Sequence, residues 1–422
     1  MTTPNKTKEE VLAEIVKNKE ATLSRHQNFD ALKEGITEKF VLNSLNLKDR
    51  QQESVLKLID VPSDDYAFSK GYFHACTAFG KTYLIMAMAE SYNHTLPNKK
   101  IIILEENASV LEQVKQDFAT KTEQFNLSDI GTFYNKEKIT DTPVIISTYA
   151  SMKKMIEQVG LENIGLVLCD EAHHILSKNR QEVAKTFNNA CLYGFTATPD
   201  YDEDKNCAKV FENIIDQVTL SQGIDNKLLC SFKNSLMISR TTVDLSSAKN
   251  NSGDYDAKKL SEILKQSHLT GIREEIADFY LLGEDKTLGK LIGKSTIINT
   301  PNQEEAEELT KVFNSKAGYD IAKAYHSNTD DNVLEDFNQN KFPVLIQVNR
   351  VSEGYSNPNA EICFNYPTAS KVRAAQCGGR VLRWNRENPE KIALIVDICF
   401  KKSNRLSPLE EIHQTVKSSL WT

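Results

Sequence analysis

No apolar run in this 422-residue chain is long enough to span a bilayer, which excludes a helical membrane protein. The opening stretch, MTTPNKTKEEVLAEIVKNKE, lacks the apolar core of a secretory leader, so a cytoplasmic protein that meets no membrane is expected. The eight cysteines (Cys76, Cys169, Cys191, Cys207, Cys230, Cys363, Cys377, Cys399) form no CxxC pair and no His/Cys cluster. That argues against zinc and for reduced, mostly buried thiols in a reducing cell interior. Positive charge is not in excess either: the net charge is −7, so any contact with nucleic acid must come from local basic patches. No PD…(D/E)xK nuclease cluster is visible. What is present, 40% hydrophobic and 26% charged residues, suffices for two or three domains with proper cores.

The chemistry starts at HACTAFGKTYL, His74 to Leu84. A short buried strand, Gly71 to Cys76, runs into a turn and then a helix opening at Lys81. Such a turn aims backbone N–H groups and a helix dipole at one point, which suits a phosphate. In Gly80-Lys81-Thr82 the glycine permits close approach, the lysine reaches the β- and γ-phosphates, and the hydroxyl can ligate Mg²⁺. The usual spacing is Gly-x4-Gly-Lys-Ser/Thr, and Ala75 stands at the first glycine, so by itself the stretch also reads as an ordinary turn.

Apolar segments then alternate with helical ones: Ile101 to Leu104, Val144 to Ser147, Ile164 to Cys169 and Leu192 to Thr196. This is the pattern of a parallel α/β sheet, with ligands at the carboxyl ends of its strands. Asp170-Glu171 directly follows the third of these. Beside a triphosphate, Asp170 can hold Mg²⁺ through its water shell while Glu171 orients and deprotonates the attacking water. Acids at a helix start for dipole reasons are the alternative.

A second alternating block has strands at Ser295–Asn299, Ala322–Tyr325, Val344–Val348, Ile362–Tyr366 and Ile392–Ile398. Residues 1–44 read as an N-terminal helical extension, one helix or a pair, with apolar residues at Val11, Leu12, Ile15 and Val16. A first α/β domain follows over 45–224. Residues 225–290 read as a connecting segment in which SFKNSLMISRTTVDLS is a strand or hairpin. The second α/β domain spans 291–402, and 403–422 read as a closing helix.

AFGKT, DEAHH, GFTATP and QCGGRVLR, in this order and spacing, resemble the superfamily two helicases and translocases over residues 45 to 402. The branch they resemble includes the motor subunits of type I and III restriction enzymes and phage or repair helicases. The resemblance implies two tandem RecA-like parallel-sheet domains, a P-loop NTPase that uses ATP and Mg²⁺, and nucleic acid as partner, with a lean toward DNA. It makes Gln51 an adenine contact and Ala75, Cys76, Thr77, Ala78, Phe79, Gly80, Lys81 and Thr82 the nucleotide loop. It assigns Mg²⁺ to Thr82 and Asp170, and water activation to Glu171. His173, Thr196 and Thr198 become coupling residues, while Thr148 and Tyr149 fall where family members touch the phosphate backbone. Glu353 and Gly354, in NRVSEGYSNP, lie near the γ-phosphate, and Gln376, Arg380 and Arg383 complete the set. A positioned arginine is worth about 10³–10⁵ in phosphoryl transfer, and Arg380 and Arg383 share one face if their segment is helical. Lys371, Arg373 and Arg386 make that stretch basic. Three positions depart from the family pattern: Ala78 replaces a glycine, Glu105 a proline and Ser356 an aspartate. An ATP-gated remodeller or sensor, or the motor subunit of a larger restriction or defence complex with protein partners, has the same signature.

Overall fold

The computed structural model describes residues 8–37, 45–62, 65–199, 206–248, 255–266, 270–330, 332–348, 357–367 and 376–401. The chain forms two compact units, Met1–Thr219 and Leu220–Thr422.

The first unit holds strands β1 (Lys70–Ala75), β2 (Lys100–Glu105), β3 (Ile130–Tyr134) and β4 (Glu137–Lys138), then β5 (Val144–Thr148), β6 (Ile164–Asp170), β7 (Cys191–Thr196) and β8 (Asn213–Val218). They form one sheet in the order β4-β3-β5-β2-β6-β7-β1-β8, parallel except for β4. The inner strands are apolar throughout because both faces are covered, as Ile101 to Leu104 and Leu166 to Cys169 show. One cover is the helix Lys81–Thr95, whose residues Leu84 to Tyr92 are all buried.

The N-terminal segment is one helix, Lys8–Thr37, and its second half is part of this unit. Phe29, Leu32 and Ile36 are buried, Tyr92 donates to Asn28 Oδ1 at 2.7 Å, and Thr95 donates to the Ala31 carbonyl at 2.6 Å. Further out, Ile15, Val16 and Leu23 are exposed.

The second unit begins its sheet with β9 (Ser231–Thr242), followed by the hairpin β10 (Glu284–Asp285) and β11 (Gly289–Lys290). Next come β12 (Thr296–Asn299), β13 (Ala322–Tyr325), β14 (Val344–Gln347), β15 (Ile362–Asn365) and β16 (Ile392–Lys401). The sheet runs β13-β14-β12-β15-β16-β9 and is wholly parallel. Residues 225–290 are therefore not a connector. β9 is the edge strand beside β16, and Ile272, Ile276, Ala277 and Tyr280 of the helix Thr270–Leu282 lie in this unit's core. The strand or hairpin expected at SFKNSLMISRTTVDLS is this edge strand, which keeps few buried residues and shows no apolar run because it has one partner.

The helix expected over 403–422 lies outside the described residues, as do Lys371, Arg373 and 349–356 with Glu353, Gly354 and Ser356. Among the described residues no helix is long and apolar enough to cross a membrane. Seven of the eight cysteines are buried, and Cys377 is half-buried.

Candidate functional site

The loop 76–80 joins β1 to the helix Lys81–Thr95, at the carboxyl end of the sheet where a parallel fold places its ligands. Two residues in it take left-handed backbone, Ala78 at φ 65° and Gly80 at φ 92°. Gly80 is required twice over. Its φ suits glycine, and a Cβ there would meet Gln51 Nε2 at 2.5 Å. Cys76 is buried and its thiol is pushed up to about 12 by that burial, so it packs the loop and is not a nucleophile.

Gln51 is buried against this loop. Its Nε2 donates to the Phe79 carbonyl at 2.7 Å and its Oε1 accepts the Lys48 N–H at 3.0 Å. Each group of the amide keeps one further hydrogen-bonding valence. The helix Asp49–Leu56 that carries Gln51 is pinned by a network that the sequence did not reveal. Arg50 reaches Asp216 of β8 at 2.7 Å, Ser54 donates to the same carboxylate at 2.7 Å, and Lys57 joins them. Burial would raise Asp216, but hydrogen bonds from Arg50, Lys57 and Ser54 hold it at about 2.

Opposite the loop, β6 ends at Asp170 and the chain turns sharply. Glu171 adopts φ 41° and ψ 55°, a left-handed pose that costs an L-residue about 1–2 kcal/mol. The pose puts Glu171 Oε1 2.8 Å from Lys81 Nζ, with both side chains nearly enclosed. Burial pushes the Glu171 carboxyl up. The Lys81 ammonium, helped by His173 and His174, more than offsets this and holds it below the usual carboxylate range. The Asp170 side chain accepts the Glu171 N–H at 2.8 Å.

Behind this pair, buried His173 places Nδ1 3.5 Å from Glu171 Oε2 and 3.0 Å from Thr196 Oγ1, at the end of β7. Thr198 N–H donates to Thr196 Oγ1 at 3.1 Å, and the Thr198 hydroxyl lies 3.5 Å from the same ring nitrogen. Lys81, Glu171, His173, Thr196 and Thr198 thus form one connected array. Thr148 is nearly buried, with its hydroxyl donating to Ser151 Oγ at 3.0 Å. Tyr149 differs from expectation. Its ring is buried and its hydroxyl donates to the Asp170 carbonyl at 2.6 Å, so it braces the acidic turn and is not a surface contact.

In the second unit Gln376 to Gly379 form a single helical turn. The shared helical face expected for Arg380 and Arg383 does not exist. Arg380 lies in a turn with its side chain buried, and Arg383 sits in an antiparallel bridge with Leu229. The cause is the Gly378-Gly379 pair, which favours leaving the helix. Buried Lys391 then fixes the exit, donating to the carbonyls of Pro358 at 2.7 Å and Arg383 at 3.1 Å. Burial pushes its ammonium down to about 8.

Across four strands of the same unit's sheet runs a row of polar side chains that the sequence did not suggest, one per strand and in register: Gln347, Asn299, Asn365 and Asp397. Gln347 Nε2 donates to Asn299 Oδ1, Asn299 Nδ2 donates to Asn365 Oδ1 at 2.9 Å, and Asn365 Nδ2 donates to Asp397 Oδ1 at 3.0 Å. Burial pushes the Asp397 carboxyl up to about 6, against the pull of the Asn365 amide.

Two family models match the chain. The type III restriction enzyme res subunit covers residues 44–201, and the helicase conserved C-terminal domain covers 283–385. A 51.5 kDa protein of a Lactococcus phage is 25% identical over 239 residues, spanning 55% of this chain and 48% of that protein. The DNA 3'-5' translocase XPB2 of Sulfurisphaera tokodaii is 22% identical over 293 residues, 61% of this chain and 63% of that one. The chain therefore matches less than two thirds of either relative's length. Among solved structures, S. cerevisiae Dbp5 bound to RNA and ADP BeF3 shares the fold, with a TM-score of 0.55, 16% identity and 84% of each chain covered. The two models fall on the two sheets in turn, so the chain carries a domain of the type III restriction enzyme res subunit family followed by a helicase conserved C-terminal domain.

Proposed function

We propose that this protein is an ATP-driven nucleic-acid motor, a helicase or translocase that acts on DNA. The observation that carries the reading is the Lys81–Glu171 pair, 2.8 Å apart, with His173, Thr196 and Thr198 connected behind it. Its likeness to a DNA translocase supports DNA as the track.

The residues present suit ATP and Mg²⁺. The Thr82 hydroxyl and Asp170 carboxylate are hard oxygen donors of the kind that cation takes. Mg²⁺, when bound, would neutralise charge on the phosphate oxygens. The spare N–H and lone pair of Gln51 match the acceptor N7 and the donor amino group of adenine. The Lys81 ammonium can serve either Glu171 or a phosphate oxygen. When phosphate takes it, Glu171 loses the partner that holds its pKa down and becomes the stronger base toward water. Arg380 and Arg383, with Gln376 and Gly354, are the candidates for stabilising charge on the γ-oxygens.

The decisive experiment is ATP turnover by Lys81→Ala and Glu171→Gln, each with single-stranded DNA, duplex DNA and RNA side by side. Glu171→Gln should lower kcat by about 10²–10⁴ while nucleotide binding persists. Turnover at the wild-type rate in either variant would sink the assignment. A second reading, the motor subunit of a larger restriction complex, is favoured by the match to a type III restriction enzyme subunit. Strand displacement by the isolated chain, against pull-down from the native host, separates the two.

A further inference from the structure

Three neighbouring strands of the first sheet, β5, β2 and β6, bring one more cluster together at their carboxyl ends. Glu106 follows β2, Tyr149 follows β5, His174 lies in the turn after β6, and Arg180 projects from the helix Lys178–Ala184. Arg180 Nη1 donates to Glu106 Oε2 at 2.9 Å and to the His174 carbonyl at 2.9 Å, and its guanidinium lies 5.5 Å from the centre of the Tyr149 ring. His174 Nδ1 is 3.5 Å from the same Glu106 oxygen. The two histidine rings pack with centres 4.3 Å apart. Glu106 and Arg180 take no part in the reaction just proposed, and His174 enters it only by helping to hold the Glu171 carboxyl down.

We infer that Glu106, His174 and Arg180 are positioning residues that couple ATP hydrolysis to nucleic-acid binding within the first unit. The link is physically continuous. Lys81 holds Glu171, Glu171 faces His173, His173 packs on His174, and His174 is tied through Arg180 and Glu106 to the loop after β2. A second branch returns from Tyr149, under the guanidinium, to the Asp170 carbonyl. On the function proposed above, a change of partner at Lys81 therefore reaches the ends of β2 and β5, at the carboxyl edge of the sheet where a parallel fold takes its ligands. Arg180 and Glu106 are each about a quarter exposed, at 26%, so their ion pair can rearrange without opening the core. Both bonds leave one nitrogen, Nη1, so a lysine ammonium can keep part of the contact while losing the planar guanidinium beside the Tyr149 ring. Contiguity alone does not establish coupling, so the test must read coupling itself.

The test is Arg180→Gln in the full chain, with ATP turnover measured alone and with single-stranded DNA, duplex DNA or RNA. Basal turnover should stay within about twofold of wild type and the Tm should not move, because a partly exposed ion pair contributes little to stability. Stimulation by nucleic acid should fall about five- to tenfold, the low end of typical couplings. By reciprocity, a non-hydrolysable ATP analogue that shifts oligonucleotide affinity in the wild type should no longer do so in the variant. Arg180→Lys should restore part of the stimulation. Glu106→Ala combined with Arg180→Ala should be no worse than either alone, since both break one link. Wild-type stimulation and a wild-type analogue effect in Arg180→Gln overturn the inference and leave the motor reading standing. A wild-type enzyme that no nucleic acid stimulates removes the motor reading, and this inference with it.

Discussion

Among the described residues each unit buries one aspartate in its sheet, Asp216 in β8 and Asp397 in β16, both 3% exposed. Their acidities nonetheless diverge, to about 2 for Asp216 and about 6 for Asp397. Burial pushes both upward, and the partners decide the rest. Asp216 faces Arg50 and Lys57, whereas Asp397 accepts from a neutral amide, Asn365. The first unit thus fastens the helix Asp49–Leu56 with paired charge. The second threads a row of amides across four strands, ending in a carboxyl whose charge is poorly compensated. Surface exposure alone does not say what a buried acid does for a fold; the charge of its neighbours must be weighed against its burial.

The largest effect should come from breaking the charged fastening. Asp216→Ala leaves Arg50 without its buried counter-ion, with the exposed Glu53 3.8 Å away, and should destabilise the chain by about 3–5 kcal/mol, measured by urea unfolding at pH 7.5. The sign of the pH dependence follows from the lowered pKa. The contribution of Asp216 is fully present above the unfolded value, about 4, and fades as pH falls toward about 2. If Asp216→Ala unfolds at the wild-type urea midpoint, the network is ornamental.

Asp397→Asn should act in the opposite direction. A raised pKa means that the native state favours the protonated acid, so this stability is present below about 4 and is lost as pH rises through about 6. At pH 7.5 the wild type carries a poorly compensated buried anion, costing on the order of 2–3 kcal/mol. Asparagine can still accept from Asn365 and carries no charge. The variant should gain much of that stability at pH 7.5 and almost none at pH 4. An equal gain at both pH values would show that packing, not ionisation, is responsible.

The same contrast explains what could be read from residue order. Gly80-Lys81-Thr82, Asp170 to His173 and Thr196 to Thr198 are contiguous, so their chemistry is visible before any fold is known, and the structure brings Lys81, Glu171, His173 and Thr196 within contact. Arg50, Ser54 and Lys57 were illegible because polar residues at i, i+4 and i+7 mimic the solvated face of a helix. Here they aim at a carboxylate in a strand that reads NIIDQV, whose central acid hid the strand itself. The row from Gln347 to Asp397 takes one residue from each of four strands and exists only once register is known. Arg380 and Arg383 were seen but misplaced, because spacing by three suggests a helix until the glycine pair before them is weighed.

The smallest effect is expected in the loop itself, where strain takes the place of charge. Ala78 sits at φ 65°, and an L-residue there costs about 1–2 kcal/mol relative to ordinary helical backbone. Glycine relieves that cost but brings about 0.5–1 kcal/mol of extra unfolded-chain entropy. Ala78→Gly should therefore stabilise the chain by no more than about 1 kcal/mol and leave ATP turnover within about twofold. Differential unfolding in urea together with steady-state kinetics checks both parts. Should kcat fall while stability rises, the strained alanine is holding Gly80 and Lys81 in a catalytic pose. In that case the first unit stores strain at Ala78 as it does at Glu171, on both sides of the Lys81 ammonium.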